Sequence, residues 1–265
     1  MKLFLSADIE GTAGVAHWDE TEKGRFGYEH FARQMSLEVA AACEGAMEAG
    51  YDDILVRDAH DSARNIDPEL LPECVRIFRG WGSDPLSMMS GLDGSFDAVA
   101  FTGYHSPASS PENPLSHTMN LKNNYVLING QVASELMINS LTAAYYHVPV
   151  AFVSGDQGLC HWMNLTSPNT VTVPVSQGVG NGSISIHPRV AVKRIREGMK
   201  EALCRPGVDC RFPLPERFQV EINFKDHNRA RSAGFYPGVR QLDSKRVEFE
   251  TKDYMDVLKF FHFVL

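Results

Sequence analysis

The chain opens on the run FLSADIEGTAG, in which an apolar stretch stops at two carboxylates, Asp8 and Glu10, and then at glycines. Residues 2–7 read as a strand. In a strand, residues i and i+2 share a face. Asp8 and Glu10 are therefore expected to point to one place just past the sheet edge. Two carboxylates held together repel, and burying them is costly unless a metal ion, a shared proton or a basic partner compensates. The plainer alternative is a pair of solvated carboxylates at a strand end. Gly11 and Gly14 allow the backbone to turn away without covering the pair.

The same grammar recurs downstream. DDILVRDAHD, CVRIF at 74–78 and SFDAVAFTGYH are short apolar runs, two of them ending in histidine. YEHFARQMSLEVAAACEGAMEA reads as a long helix stopped by Gly50. NYVLINGQ is a strand running into an Asn-Gly turn, 131–147 a helix with Glu135 near its start, PVAFVSGD a strand, and TVTVPVSQGVGNGS a strand ending in glycines. Residues 187–203 form a helix with a basic side. Residues 204–216 read as a linker. Beyond it come the strand RFQVEINF, a polar turn region around DHNRA, the strand RVEFE and a terminal helix at 253–264. Strand, polar tip, then helix or loop is the pattern of an α/β fold. The expected architecture is an open, largely parallel sheet with flanking helices (residues 1–205) and a smaller C-terminal α+β portion packed on it (206–265).

Composition narrows the function classes. A length of 265 residues allows a substantial core. A net charge of -8 gives no electrostatic footprint for nucleic acid or for an anionic membrane. The N-terminal MKLFLSADIE reaches Asp8 before a signal-peptide core could form, so a cytoplasmic location is expected. Five cysteines without a CxxC pair read as free thiols. No HExxH, GxSxG or phosphate-loop spacing is present; GVGNG at 178–182 lacks the lysine and the spacing.

In open α/β sheets ligands sit beyond the C-terminal strand ends. Those ends carry Asp8, Glu10, Asp58, His60 and His105. Glu135, at the start of a helix after a turn, can point into the same crevice. Two imidazoles and three carboxylates exceed one tetrahedral zinc, and suit two ions bridged by one carboxylate. Each histidine taken alone also fits a structural role. His117 lies in the long Pro- and Ser-rich loop 103–120, either solvated or leaning over the site to move protons. Asp58 is a ligand or an acceptor for an imidazole N–H. Asp156 in SGD fits a structural role better than a place at the crevice. Lys193, Arg194, Arg196 and Lys200 fit a solvated helix side.

SADIEGTAG, VRDAHDSARN, FTGYHS, the loop ending SHTMN, NGQVASE and VSGD resemble, in order and spacing, the D-aminopeptidase family of zinc peptidases. Ser6, Asp8, Glu10 and Gly11 match its S-x-D-x-E-G pattern. The resemblance implies two zinc ions per subunit, with Asp8 as the bridging carboxylate, Glu10, His60, His105 and Glu135 as further ligands, and His117 as the catalytic histidine. It implies removal of an N-terminal residue, a D-amino acid such as D-alanine, from short peptides. It also implies a homo-oligomer of pentameric rings, stacked as a decamer in the best-known member. Rival readings are a two-metal phosphoesterase or other amide hydrolase, for which Arg57 and Arg64 are the nearest cations in sequence, and a non-catalytic metal-binding oligomer.

Overall fold

A computed structural model describes residues 1–205 and 209–265. In chain order the elements are β1 (Lys2–Ala7), α1 (Tyr28–Glu48), β2 (Asp53–Asp58), β3 (Val75–Phe78), β4 (Ala98–Tyr104), β5 (Asn123–Ile128), β6 (Gln131–Val132), α2 (Glu135–Tyr145) and β7 (Val150–Asp156). There follow α3 (Gln157–Thr166), β8 (Val171–Val179), β9 (Gly182–Ser185), α4 (Pro188–Leu203), β10 (Phe218–Phe224), α5 (His227–Ala233), β11 (Val239–Gln241), β12 (Arg246–Thr251) and α6 (Tyr254–Val264).

Seven strands form one sheet in the order β3-β2-β1-β4-β7-β8-β9. All neighbours are parallel except the β8–β9 hairpin, in which GVGNG makes the turn. This is the expected open α/β sheet. Successive residues of β1 serve opposite faces: Leu3, Leu5 and Ala7 join one core, Phe4 the other. A strand covered on both faces has no need of polar alternation, which is why its sequence is almost continuously apolar. On the first face α1 and α4 pack with Val39, Ala42, Ile195 and Met199. On the second lie α2 and α3, with Leu136, Leu141, Leu159 and Met163. The basic side of α4 is not simply solvated: Arg196 pairs with Glu44 at 2.8 Å, and Lys200 with Glu48 at 2.9 Å, both on α1.

A second, antiparallel sheet has the order β11-β12-β10-β5-β6. Val126, Val220 and Val247 from its strands complete the second core. Two of its five strands come from 123–132, so the C-terminal segment does not build this sheet by itself. The segment boundary expected at residue 206 lies outside the described residues.

Three local expectations need correction. The helix expected from 131 begins at Glu135, because Gln131–Val132 pair with β5 and Ser134 caps α2 by accepting from Met137 N. DHNRA is helical, not a turn, with the Asp226 carboxylate accepting from Asn228 N. Helix α3 had no counterpart in the sequence reading, and Asp156 closes β7 while capping α3. Among the described residues no helix is long and apolar enough to cross a membrane, and the five cysteines are unpaired.

The α1–α4 crossing depends on Gly45, where an added Cβ would lie 2.3 Å from the Arg196 carbonyl oxygen. Gly45→Ala must separate two backbones, and is expected to cost about 1–3 kcal/mol in urea unfolding. Gly94→Ala, whose Cβ would meet only the Tyr146 carbonyl oxygen at 3.5 Å, should change stability by less than about 0.5 kcal/mol. Equal effects would refute the close-contact account.

Candidate metal centre

The strand order reverses between β1 and β4. β1 leads to β2 and β3 on one side, while β4 lies on the other. Loops leaving such a point diverge and open a crevice at the C-terminal strand ends. Asp8 follows β1 there and His105 follows β4. The two loops are pressed together by glycines. A Cβ on Gly11 would sit 1.9 Å from the Tyr104 carbonyl oxygen, and one on Gly103 would sit 2.1 Å from the Asp8 carbonyl oxygen. Close backbone approach is thus the reason for Gly11, beyond the turn expected of it. The strand itself ends at Ala7, so Asp8 and Glu10 owe their convergence to this loop and not to a shared strand face.

Asp8, Glu10, His60, His105 and Glu135 are all buried and come together, with half-buried His117 beside them. His60 Nδ1 lies 3.3 Å from Asp8 Oδ1 and 3.2 Å from Glu10 Oε2. His105 Nε2 lies 3.5 Å from Asp8 Oδ2 and 3.6 Å from Glu135 Oε2. The two oxygens of Asp8 therefore face two different imidazoles. His117 stacks on His105 with centroids 4.3 Å apart, and its Nε2 is 3.5 Å from Glu135 Oε1. The loop brings it back although twelve positions separate the two histidines in sequence.

Each imidazole spends one nitrogen on a backbone carbonyl. His60 Nε2–H donates to Thr21 O, His105 Nδ1–H to Ser106 O and His117 Nδ1–H to Leu115 O, each at 2.9 Å. That fixes each ring and turns the other nitrogen toward the carboxylates, where it can hold a proton or offer a lone pair to a metal, the usual orientation of a metal-binding histidine. The carriers of these loops are themselves anchored. Asp58 accepts from Asn65 N, Asn65 Nδ2 and Ile66 N, while Asn65 Nδ2 also donates to His60 O. Asp58 is thus neither turned to the centre nor an acceptor for an imidazole; it holds the His60 loop. Asp156 does the same for the His105 loop, accepting from Ser106 N and Oγ, each at 2.6 Å. Asn113 donates to Glu10 O, tying the long loop beneath the site. Asn65, Ser106 and Asn113 were missed in the sequence because their roles depend on loop closure, which no local spacing reveals.

The electrostatics are unbalanced. Burial, aided by neighbouring Glu10, pushes the Asp8 carboxyl well above the usual range. Burial also works against Glu10, but His60 outweighs it and holds Glu10 well below that range. Glu135 is lowered because His105 and His117 overcome its burial. Burial disfavours charged His60 and His105, yet Glu10 and Asp8 raise the first, and Glu135 with Glu10 the second, well above the ordinary value. His117 is lowered by burial and by His105. Asp8 Oδ2, Glu10 Oε2 and His105 Nε2 are buried without a hydrogen-bond partner. Such orphaned donor atoms fit a cation. Three groups of donors have their atoms within 4.8 Å of one another: Asp8–Glu10–His60 and Asp8–His105–Glu135, which share Asp8, and Glu10–His105–His117. Mixed carboxylate and imidazole donors are a set that zinc accepts.

The crevice has a volume of about 380 Å³ and is lined further by Trp18, Glu22, Asp61, Trp81, Met88 and Met119. Among the described residues no lysine or arginine lines it. Arg57 is buried elsewhere, donating to the carbonyls of Phe78 and Gly80, and Arg64 is exposed.

The metal-free protein should carry a marked pH dependence. Asp8, His60 and His105 have folded-state pKa values above their unfolded ones. The folded state then binds more protons, so stability falls as pH rises through that interval. Glu10 and Glu135 have lowered values, and their contribution is lost only in acid. The melting temperature of chelator-treated protein is expected to fall as pH rises above the ordinary histidine range, and zinc to abolish that slope. A flat or rising profile without metal would contradict this charge arrangement.

The chain is similar to known proteins along nearly its whole length. The model of the D-aminopeptidase family matches residues 1–263. A D-aminopeptidase of Bacillus subtilis (strain 168) is 30% identical over 260 residues, spanning 97% of this chain and 93% of its own. The solved structure of the Zn-dependent D-aminopeptidase DppA from Bacillus subtilis, described as a self-compartmentalizing protease, superposes with a TM-score of 0.93 at 28% identity. The match covers 100% of this chain and 96% of that one.

Proposed function

This chain belongs to the D-aminopeptidase family, and from that premise we propose that it is a two-zinc enzyme removing an N-terminal D-residue, such as D-alanine, from short peptides. D-aminopeptidase is the description common to both relatives, and the solved one is described as Zn-dependent. The proposal assigns Asp8 as the carboxylate shared between two ions, Glu10 and His60 to one, and His105 and Glu135 to the other. The observation that carries it is the arrangement of Asp8, whose two oxygens face His60 and His105 separately.

Zinc bound there would acidify a water molecule and polarise the scissile carbonyl. The chain's own residues do the rest. His117 has a depressed pKa, so at neutral pH it is uncharged and able to accept a proton at Nε2. As the water oxygen joins the carbonyl carbon, Nε2 takes the proton; as the C–N bond breaks, Nε2 returns it to the leaving amine. Leu115 O holds the opposite ring nitrogen, so the proton can move only at Nε2. Trp18 meets the His117 ring edge-on at 5.4 Å and shields it from water. Glu135 Oε1, which also accepts from Met119 N, steadies the imidazolium formed in between. The phosphoester reading is disfavoured by the absence of a lysine or arginine among the described residues lining the crevice. By analogy with the self-compartmentalizing relative, the chain is proposed to assemble as rings, pentameric and stacked in pairs.

The test is metal content together with hydrolysis of D-Ala-D-Ala and L-Ala-L-Ala, before and after chelation and zinc restoration. Near two zinc ions per chain with zinc-dependent cleavage of the D-peptide is expected. Bound zinc without cleavage of either peptide would overturn the substrate assignment. His117→Gln should retain zinc while kcat falls about 10²–10⁴-fold. Asp8→Asn should lose zinc, and an Asp8→Asn protein holding both ions would remove the shared-carboxylate role.

A further inference from the structure

Trp81 is the one large aromatic side chain of the crevice that the reaction described above does not use. It is 44% exposed, yet it is not loose. Its indole Nε1–H donates to Asp61 O at 2.7 Å. The guanidinium of buried Arg57 lies 4.7 Å from the Trp81 ring centroid and 4.7 Å from that of Phe78. The cation is thus clamped between two rings and pinned by the carbonyls of Phe78 and Gly80. Asp61 adopts φ 41° and Ala63 φ 53°, values that cost energy outside glycine and are retained only where surroundings impose them. The segment holding this strain begins at His60, so the carbonyl that fixes Trp81 and the imidazole at the centre belong to one rigid turn. An exposed indole fixed from behind presents a preorganised apolar face.

The orientation of substrate follows from His117. A group that protonates the leaving amine must stand on the leaving-group side of the scissile bond. His117 and Glu135 stand with His105, which faces one oxygen of Asp8. His60 faces the other oxygen of Asp8, and Asp61, which follows it, holds Trp81; the N-terminal residue is assigned to this His60 side. We propose that Trp81 is a specificity-determining residue whose face receives the side chain of the substrate's N-terminal residue, favouring large planar apolar side chains over the methyl of alanine. This rests on the aminopeptidase reading and adds to it the class of residue removed.

The experiment compares D-phenylalanine and D-alanine p-nitroanilides on the zinc-loaded enzyme, with Trp81→Ala and Trp81→Phe, and records zinc content for each. Wild type is expected to favour the phenylalanyl substrate about tenfold or more in kcat/KM. Trp81→Ala should lower kcat/KM for the phenylalanyl substrate about tenfold more than for the alanyl one, through KM, with zinc content recorded to separate this from loss of the centre; Trp81→Phe should restore most of the preference. Calorimetric binding of free D-phenylalanine against free D-alanine gives a second readout that needs no turnover. If wild type cleaves neither anilide, the aminopeptidase reading fails, and the binding ratio alone decides the subsite. A ratio near one in wild type, or a ratio unchanged by Trp81→Ala, overturns the proposal.

Discussion

Three carboxylates packed into a buried crevice with no lysine or arginine among them are the condition to which the rest of this structure answers. Asp8, Glu10 and Glu135 cannot all be ionised there unless positive charge joins them. In the metal-free chain the imbalance shows as His60 and His105 pKa values raised by the carboxylates and an Asp8 value raised by burial and by Glu10. Under the proposed zinc assignment, metal ions would supply that positive charge instead. The centre is therefore built around a deficit, and the protein's stability and its chemistry draw on the same few oxygens.

Holding such a deficit in place requires backbone, not side chains alone. Gly11 and Gly103 let two loops touch main chain to main chain, which a single methyl at either position would forbid. Carbonyls of Thr21, Ser106 and Leu115 turn three imidazoles. Asp58 and Asp156, which close strands at the same end of the sheet, are saturated with N–H and O–H donors and so serve as loop anchors. The distinction between the two kinds of buried aspartate is whether the donors around them are already hydrogens.

Much of this was legible in the sequence. Apolar runs ending in Asp8, Asp58 and His105 gave the parallel sheet and placed its active end, because a strand buried on both faces leaves a continuous apolar signature. The centre's residues could be gathered as candidates for the same reason. The geometry behind them was less visible. Asp8 and Glu10 were grouped on a strand face, whereas a turn beyond Ala7 brings them together. His117 could not be tied to His105 from spacing, since a loop's closure depends on long-range bonds such as Asn113 to Glu10 O. Helix α3 was hidden because Asp156 ends one element and caps the next, and α5 because seven residues carry too little periodicity. Trp81 gave no signal at all: its role arises from Arg57 on a neighbouring strand.

The second sheet has a consequence for when this protein becomes competent. Strand β5 lies between His117 and Glu135 in the chain, and its principal partner is β10, with Ile128 opposite Val220 and Val126 opposite Ile222. Every residue of the centre lies at or before residue 135, yet the strand that pairs with β5, between His117 and Glu135, lies some ninety residues later in the chain. A growing chain therefore carries every donor long before it carries the scaffold that aligns them.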